Sequence, residues 1–187
     1  MAVKSPYEHF PYITADEVTL RKTVPSDVDD LFELYSNENQ FRHSPVMLRK
    51  TKEAVANMIG HFERDFLKKK LILLGICLNS ESDRVVGTVE LFDYAPEVNA
   101  ITIGYRLQNR VWGQGIATKA VAAMLEYLIG DLEINRVQAF VMPENEKSQH
   151  VLLRNGFTLE GTIRQGHVWK GHGVVDLMLY SRLRSDV

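Results

Sequence analysis

The sequence predicts a single mixed α/β domain with a mostly antiparallel central sheet flanked by helices, and three observations predict it. Three apolar, β-rich runs at 71–78, 84–93 and 101–107 are separated only by the turn-rich segments "NSESD" and "YAPEVN", so they read as an antiparallel meander. Two amphipathic helical patterns precede that meander. A glycine-bearing loop follows it and runs straight into a further helix, after which come a strand, a helix and two strands. At 187 residues and 45% hydrophobic content, the chain suits one domain with a proper core.

Taken in order, residues 1–16 carry Pro6 and Pro11 among aromatics and read as an irregular leader, with the domain proper at 17–187. "VTLRK" is a short strand. In "PSDVDDLFELYSNE", Ser26 is the expected N-cap and Asp29 its box partner, with Val28, Leu31, Phe32, Leu34 and Tyr35 on one face. The second helix, 51–67, carries the stripe Val55, Met58, Ile59, Phe62 and Phe66. Beyond the meander and the loop, a helix runs to about residue 128 and "NRVQAFVM" is a strand. "NEKSQHVLLRN" is a helix closed by Gly156 as its C′ residue. "FTLEGTIRQG" and "VVDLMLYSRL" are the last two strands, the second patterned to close a sheet. No internal repeat or low-complexity segment interrupts this order.

With 22 basic and 24 acidic residues and a net charge of −2, no global field draws the protein to nucleic acid or an anionic membrane. A charged partner must be met locally. The single cysteine, Cys77, excludes an internal disulfide and a cysteine-built metal site, and its neighbours in "LILLGICL" make it a core residue. His9, His43, His61 and His172 form no i, i+4 ligand pair, so no metal is expected. The N-terminus has no apolar core and no cleavage pattern, and no run approaches about 18 apolar residues. A cytoplasmic protein with no membrane partner is the expectation.

Gly113 and Gly115, in "RVWGQGIA", stand on the threshold of a helix, where unpaired N–H groups and the macrodipole favour an anion. A P-loop is excluded, because Thr118 and Lys119 come in the wrong order after the second glycine. A Rossmann fingerprint fits poorly, since Thr118 occupies the third glycine position and a meander precedes the loop. A loop that merely starts a helix is the plain alternative.

More of the chain is informative when taken together. "RVWGQGIA" resembles the pyrophosphate loop, Arg/Gln-x-x-Gly-x-Gly/Ala, of the GNAT superfamily of acetyl-CoA-dependent N-acetyltransferases. "VTLRKTVPSDVDDLFEL", "IGYRLQNRVWGQGIATKA", "NEKSQHVLLRNGFTLEG" and "DLMLYSRL" are similar, in this order, to the Rim-type branch that acetylates ribosomal-protein N-termini. The resemblance implies acetyl-CoA as the acyl donor, no metal, and a primary amine as acceptor: a protein N-terminus, or else a polyamine, amino sugar or amino acid. A GNAT-fold module that binds acyl-CoA without catalysis is the rival of another class. Monomer and homodimer both stay open.

The resemblance also implies site residues. The backbone of Gln114, Gly115, Ile116, Ala117 and Thr118 would hold the pyrophosphate, with Gly113 leaving room and Arg110 adding charge or fixing the loop. Tyr105, Arg106 and Leu107 would end a splayed strand that pairs with the pantetheine arm. Asn145 resembles the asparagine that bonds this arm, and by its position it is equally a plain N-cap. Lys119, where many members have glutamate, reads as part of a surface pair.

Acetyl transfer needs a neutral amine, a polarised carbonyl and a hydrogen-bond or proton donor for the leaving sulfur. Leu152 stands where many members carry a tyrosine acid, which moves attention to Ser148, where the Rim-type branch has a serine near the sulfur. For the base, His167 in the connection before the last strand has a suitable reference pKa of about 6.5, and Glu90 and Glu160 are alternatives. His150 reads as structural. By resemblance the first two helices and the 39–50 loop, "NQFRHSPVMLRK", would line the acceptor side; there Arg42 and Arg49 either meet an acidic substrate or sit in a solvated loop, and Trp169 either packs over the acceptor or anchors a hairpin.

Overall fold

The computed structural model describes residues 4–43, 48–81, 84–169 and 172–186, so the expected acceptor loop at 39–50 lies partly outside the described residues. Eight strands form one sheet: β1 (Ile13–Thr14), β2 (Val18–Lys22), β3 (Leu71–Leu78), β4 (Val85–Ala95), β5 (Ala100–Leu107), β6 (Arg136–Val141), β7 (Thr158–Trp169) and β8 (Gly173–Leu183). Their spatial order is β1-β2-β3-β4-β5-β6-β8-β7. Every neighbouring pair is antiparallel except β5 and β6, which run parallel. A parallel pair needs a crossover. Here it is the glycine loop and helix α3 (Ile116–Leu125), continued by a π-helical turn over Glu126–Asp131.

The meander 71–107 forms as its alternation and turns predict. β3 is buried along most of its length because both sheet faces are covered. Ile72, Leu74 and Ile76 join the core that α3 completes with Ala120, Val121 and Met124, and the turn after it with Leu128. Cys77 faces the other way, with Leu31, Leu34 and Tyr35 of α1 (Val28–Ser36) and Val55, Met58 and Ile59 of α2 (Lys52–Leu67). Burial pushes the Cys77 thiol up, as suits a core residue.

Several local expectations change. Thr51 caps α2, its Oγ1 accepting from Ala54 N at 3.1 Å, but Ser26 does not cap α1. Asp27 occupies the N-cap position instead, and its buried carboxylate turns away from α1, accepting from Val24 N at 2.8 Å and from both terminal nitrogens of Arg21. The leader is not wholly irregular. Ile13–Thr14 pairs with β2, and Tyr7 is buried among Phe66 and Tyr94, which raises its phenol to about 12. β7 extends through Trp169, so His167 lies within a strand and not in a connection. Trp169 anchors the hairpin, packing with Met142 and Leu177.

The final helix, α4 (Glu146–Arg154), ends as its sequence predicts. Gly156 has φ +73, Gly156 N bonds Leu153 O at 3.0 Å, and Phe157 N bonds Leu152 O at 3.1 Å. That is the Schellman pair of bonds, which needs a left-handed C′ residue. No helix among the described residues is long and apolar enough to cross a membrane.

Candidate functional site

Between β5 and β6 the sheet opens. Their parallel ladder contains only Ala100–Arg136, Ile101–Val137 and Thr102–Gln138, after which β5 continues through Leu107 without β6 beside it. The gap widens into a groove of about 880 Å³ with β5 on its floor, the glycine loop and the start of α3 on one side, and α4 on the other.

The glycine loop has the expected backbone. Gly113 and Gly115 both have φ +76, and Gly115 is the left-handed N-cap of α3. A β-carbon at either would meet nothing within 4 Å, so the protein leaves this space open on the groove side. Left-handed geometry is what requires glycine here. The first N–H groups of α3 have no intrahelical acceptor and carry the positive end of the helix dipole. Such a cradle fits a pyrophosphate, and Lys147 and Arg154 add local positive charge to the groove lining despite the net negative chain. Lys147 Nζ sits 5.1 Å from the centre of the Trp112 ring. The Trp112 indole is itself held by Leu107 O, 2.9 Å from its Nε1.

Of the residues named from the sequence, Tyr105, Arg106, Leu107, Gly113, Gly115, Ile116, Ala117, Thr118, Asn145 and Ser148 line this groove. Arg110 does not. Its guanidinium turns to Gln108 Oε1 at 2.9 Å and Glu81 at 3.2 Å, while its carbonyl accepts from Gln114 Nε2, so Arg110 and the Gln114 side chain fix the loop. Lys119 pairs with Glu17 at the surface, as expected.

The three candidate bases stand elsewhere. Glu90, on β4, is held in an ion pair by Arg106, whose Nη1 also donates to Tyr35 Oη at 2.8 Å. Burial acts against the Arg106 charge, but Glu90 and Tyr35 together more than offset it and hold the guanidinium pKa above its ordinary value. His167 is exposed on β7, edge-on to Trp169 at 5.8 Å, and does not line the groove. Glu160 is committed to Arg136 at 2.6 and 2.7 Å and to Ser181 at 2.5 Å, bonds that pull its carboxyl down to about 2.

On α4, Asn145 Oδ1 accepts from Ser148 N at 3.3 Å, so Asn145 is an N-cap and also a groove residue. The cap uses only the oxygen of its amide. The Ser148 hydroxyl is 2.8 Å from the Tyr105 hydroxyl, which also lies 3.0 Å from the Ser148 carbonyl oxygen. Burial, the larger influence, pushes the Tyr105 phenol well up, against the downward pull of that Ser148 bond. Leu152 is fully buried and carries no ionisable group, so it supplies no acid.

Sequence reasoning missed part of the lining. His150, read as structural, faces the groove, and so do His43 and Glu144, beside Arg42, which the sequence offers either to an acidic substrate or to a solvated loop. Burial, followed by Arg42, lowers the His43 pKa against the opposing pull of Glu144. None of these belongs to a local motif. Only the approach of the segment after α1 to the start of α4 brings them together.

Comparison with known proteins agrees with this geometry. Residues 17–158 match the model of the acetyltransferase (GNAT) domain. The chain is 30% identical to the probable N-acetyltransferase YjcK of Bacillus subtilis, over 86% of this chain and 93% of that protein. It is 29% identical to the ribosomal-protein-serine acetyltransferase of Escherichia coli, over 79% of this chain and 76% of that protein. Among solved structures, the microcin C7 self-immunity acetyltransferase MccE, in complex with acetyl-CoA and AMP, superposes with a TM-score of 0.77. It is 25% identical, covering 90% of this chain and 93% of that one. A mostly antiparallel sheet that splays at one parallel pair, a left-handed glycine cradle at the mouth of the splay and these relatives together identify the chain as a member of the GNAT family, an acetyl-CoA-dependent N-acetyltransferase.

Proposed function

We propose that the acceptor is the N-terminal α-amine of a protein, of the ribosomal-protein type, acetylated by direct attack while both substrates occupy the domain. The observation that carries this reading is the groove's chemistry. It offers a main-chain cradle for the donor and a serine beside the splayed strand, but no buried tyrosine acid on α4. An α-amine, with a reference pKa of about 8, is already partly neutral at physiological pH, whereas a lysine amine at about 10.4 needs a stronger base. A site whose three candidate bases, Glu90, Glu160 and His167, are paired or outside the groove suits the first acceptor better. The named activity of the E. coli relative supports the same choice.

In this reading the chain's residues divide the work. The N–H groups at the start of α3 hold the pyrophosphate, with Gly113 and Gly115 keeping that wall open. The splayed end of β5 and Asn145 orient the pantetheine arm. Acetyl-CoA supplies an acyl group already activated as a thioester. Ser148 donates a hydrogen bond to the sulfur as charge builds there, a role for which a hydroxyl need not ionise. A cytoplasmic setting is part of the proposal and accords with the lone buried thiol of Cys77.

The test is acetyl-CoA-dependent thiol release by the purified protein with short peptides beginning Ala, Ser or Met, run beside spermidine and free lysine. Release with one peptide class is the expected result. Release with the small amines alone would replace the acceptor, and binding of coenzyme A with no release would leave a non-catalytic module. A rate in His167→Ala that falls mainly below neutral pH would return the base to the β7–β8 hairpin.

A further inference from the structure

Beyond Thr102, where the β5–β6 ladder ends, a pair of hydroxyls bridges the opening between β5 and α4. Tyr105 Oη stands 2.8 Å from Ser148 Oγ and 3.0 Å from the Ser148 carbonyl oxygen. Each hydroxyl has one proton to donate. Two arrangements therefore share the same heavy-atom positions. In one, Ser148 donates to the phenol oxygen and the phenol donates onward to the Ser148 carbonyl, so the serine proton is turned away from the groove. In the other, the phenol donates to Ser148 Oγ, and the serine proton is released to point into the groove. Only the rotation of two O–H bonds separates them.

We propose that Tyr105 is the positioning residue that aims the Ser148 proton at the leaving sulfur, so that the pair works as a hydrogen-bond switch between a resting and a working state. The inference rests on the reading of Ser148 as the group that meets the sulfur. A hydroxyl that accepts a hydrogen bond becomes a better donor, because the two bonds polarise each other. Burial keeps the phenol protonated throughout, so it has a proton to offer in either state. The α4 backbone is held still for this purpose by the Asn145 cap on Ser148 N. Covalent bookkeeping involves neither hydroxyl: the C–N bond forms as the C–S bond breaks, sulfur keeps the electron pair, and the surplus amine proton goes to solvent. Tyr105 and Ser148 begin and end the turnover with their own protons. A pair that only tied β5 to α4 would have no such effect on the sulfur.

That difference is measurable without an acceptor. The thiolate absorbance of coenzyme A bound to the protein, followed against pH, reports how far the site favours the thiolate. In the wild type the bound thiol should titrate below free coenzyme A. Tyr105→Phe keeps the ring and removes the donor, and should weaken the thiolate preference roughly threefold to tenfold, the scale of one hydrogen bond. Ser148→Ala should do at least as much, and adding Tyr105→Phe to it should change nothing further. With 3-fluorotyrosine at position 105, a stronger donor, the thiol should titrate lower than in the wild type. Turnover should follow, with kcat reduced by the same factor in Tyr105→Phe and KM for acetyl-CoA within about twofold of the wild type. A wild-type thiol shift that survives Tyr105→Phe, or a Tyr105→Phe effect that persists in the Ser148→Ala background, would overturn the switch alone. A bound thiol that titrates like free coenzyme A in the wild type would overturn the Ser148 contact and the switch with it.

Discussion

The two sides of the groove are built from opposite materials. On the α3 side the functional surface is main chain: Gly113 and Gly115 at φ +76, then a helix start whose N–H groups face outward, while the side chains of Arg110 and Gln114 are spent on holding the loop. On the α4 side it is side chain: the Asn145 amide, the Ser148 hydroxyl and, from the floor, the Tyr105 phenol. The first side is sensitive to backbone geometry and indifferent to most side chains. On the proposed reading, the second depends on single side-chain atoms.

The largest effect should come from breaking the main-chain side. Gly115→Val places a β-branched residue at a left-handed N-cap, which costs about 1–3 kcal/mol in strain and shifts the cradle. Coenzyme A affinity measured by calorimetry should fall on the order of 100-fold; unchanged affinity would mean that the anion is held elsewhere. Next, Ser148→Ala should lower kcat about tenfold while coenzyme A affinity stays within about twofold, the reverse pattern. A change in affinity without a change in kcat would erase the distinction between the two sides.

Asn145→Ala should cost about 1 kcal/mol of stability in denaturant unfolding, as the loss of an N-cap does. If Asn145 also bonds the pantetheine arm, coenzyme affinity drops too, whereas a stability loss alone would make it a cap and nothing more. The smallest effect should lie outside the groove, at Glu160. Its carboxyl is held down at about 2 by hydrogen bonds from Arg136 and Ser181, so its contribution is present above the unfolded value near about 4.3 and is lost as pH falls toward 2. Glu160 is substantially exposed, so Glu160→Gln should cost less than about 1 kcal/mol at neutral pH. The stability difference from the wild type should shrink below pH about 4 and leave turnover unaltered; a turnover defect would extend the site to β7.

The legibility of the molecule follows the range of the forces involved. The meander, helix α2 with its apolar stripe and the C′ end of α4 at Gly156 depend on residues within a few positions of one another. They were readable. Ser26 was misread because its competitor, Asp27, is settled by Arg21 on a different element. His167 was read as a loop residue because strand β7 is stabilised by its pairing with β8, through contacts such as His167–Val175. Glu90 looked like an available base because nothing local reveals that Arg106, two residues along the adjacent strand from its register partner Gly104, reaches it.

By itself, the amino-acid sequence determined the strand and helix order, the glycine cradle, and the resemblance that names the coenzyme, since each is written in local spacing, turn chemistry and φ preference. The tertiary structure alone decided which carboxylates are already paired, that β5 parts from β6 after Thr102, and that Tyr105 meets Ser148 across the gap. Those are contacts between residues far apart in the chain, made by packing and low-dielectric pairing, and their partners appear only when the sheet brings them together.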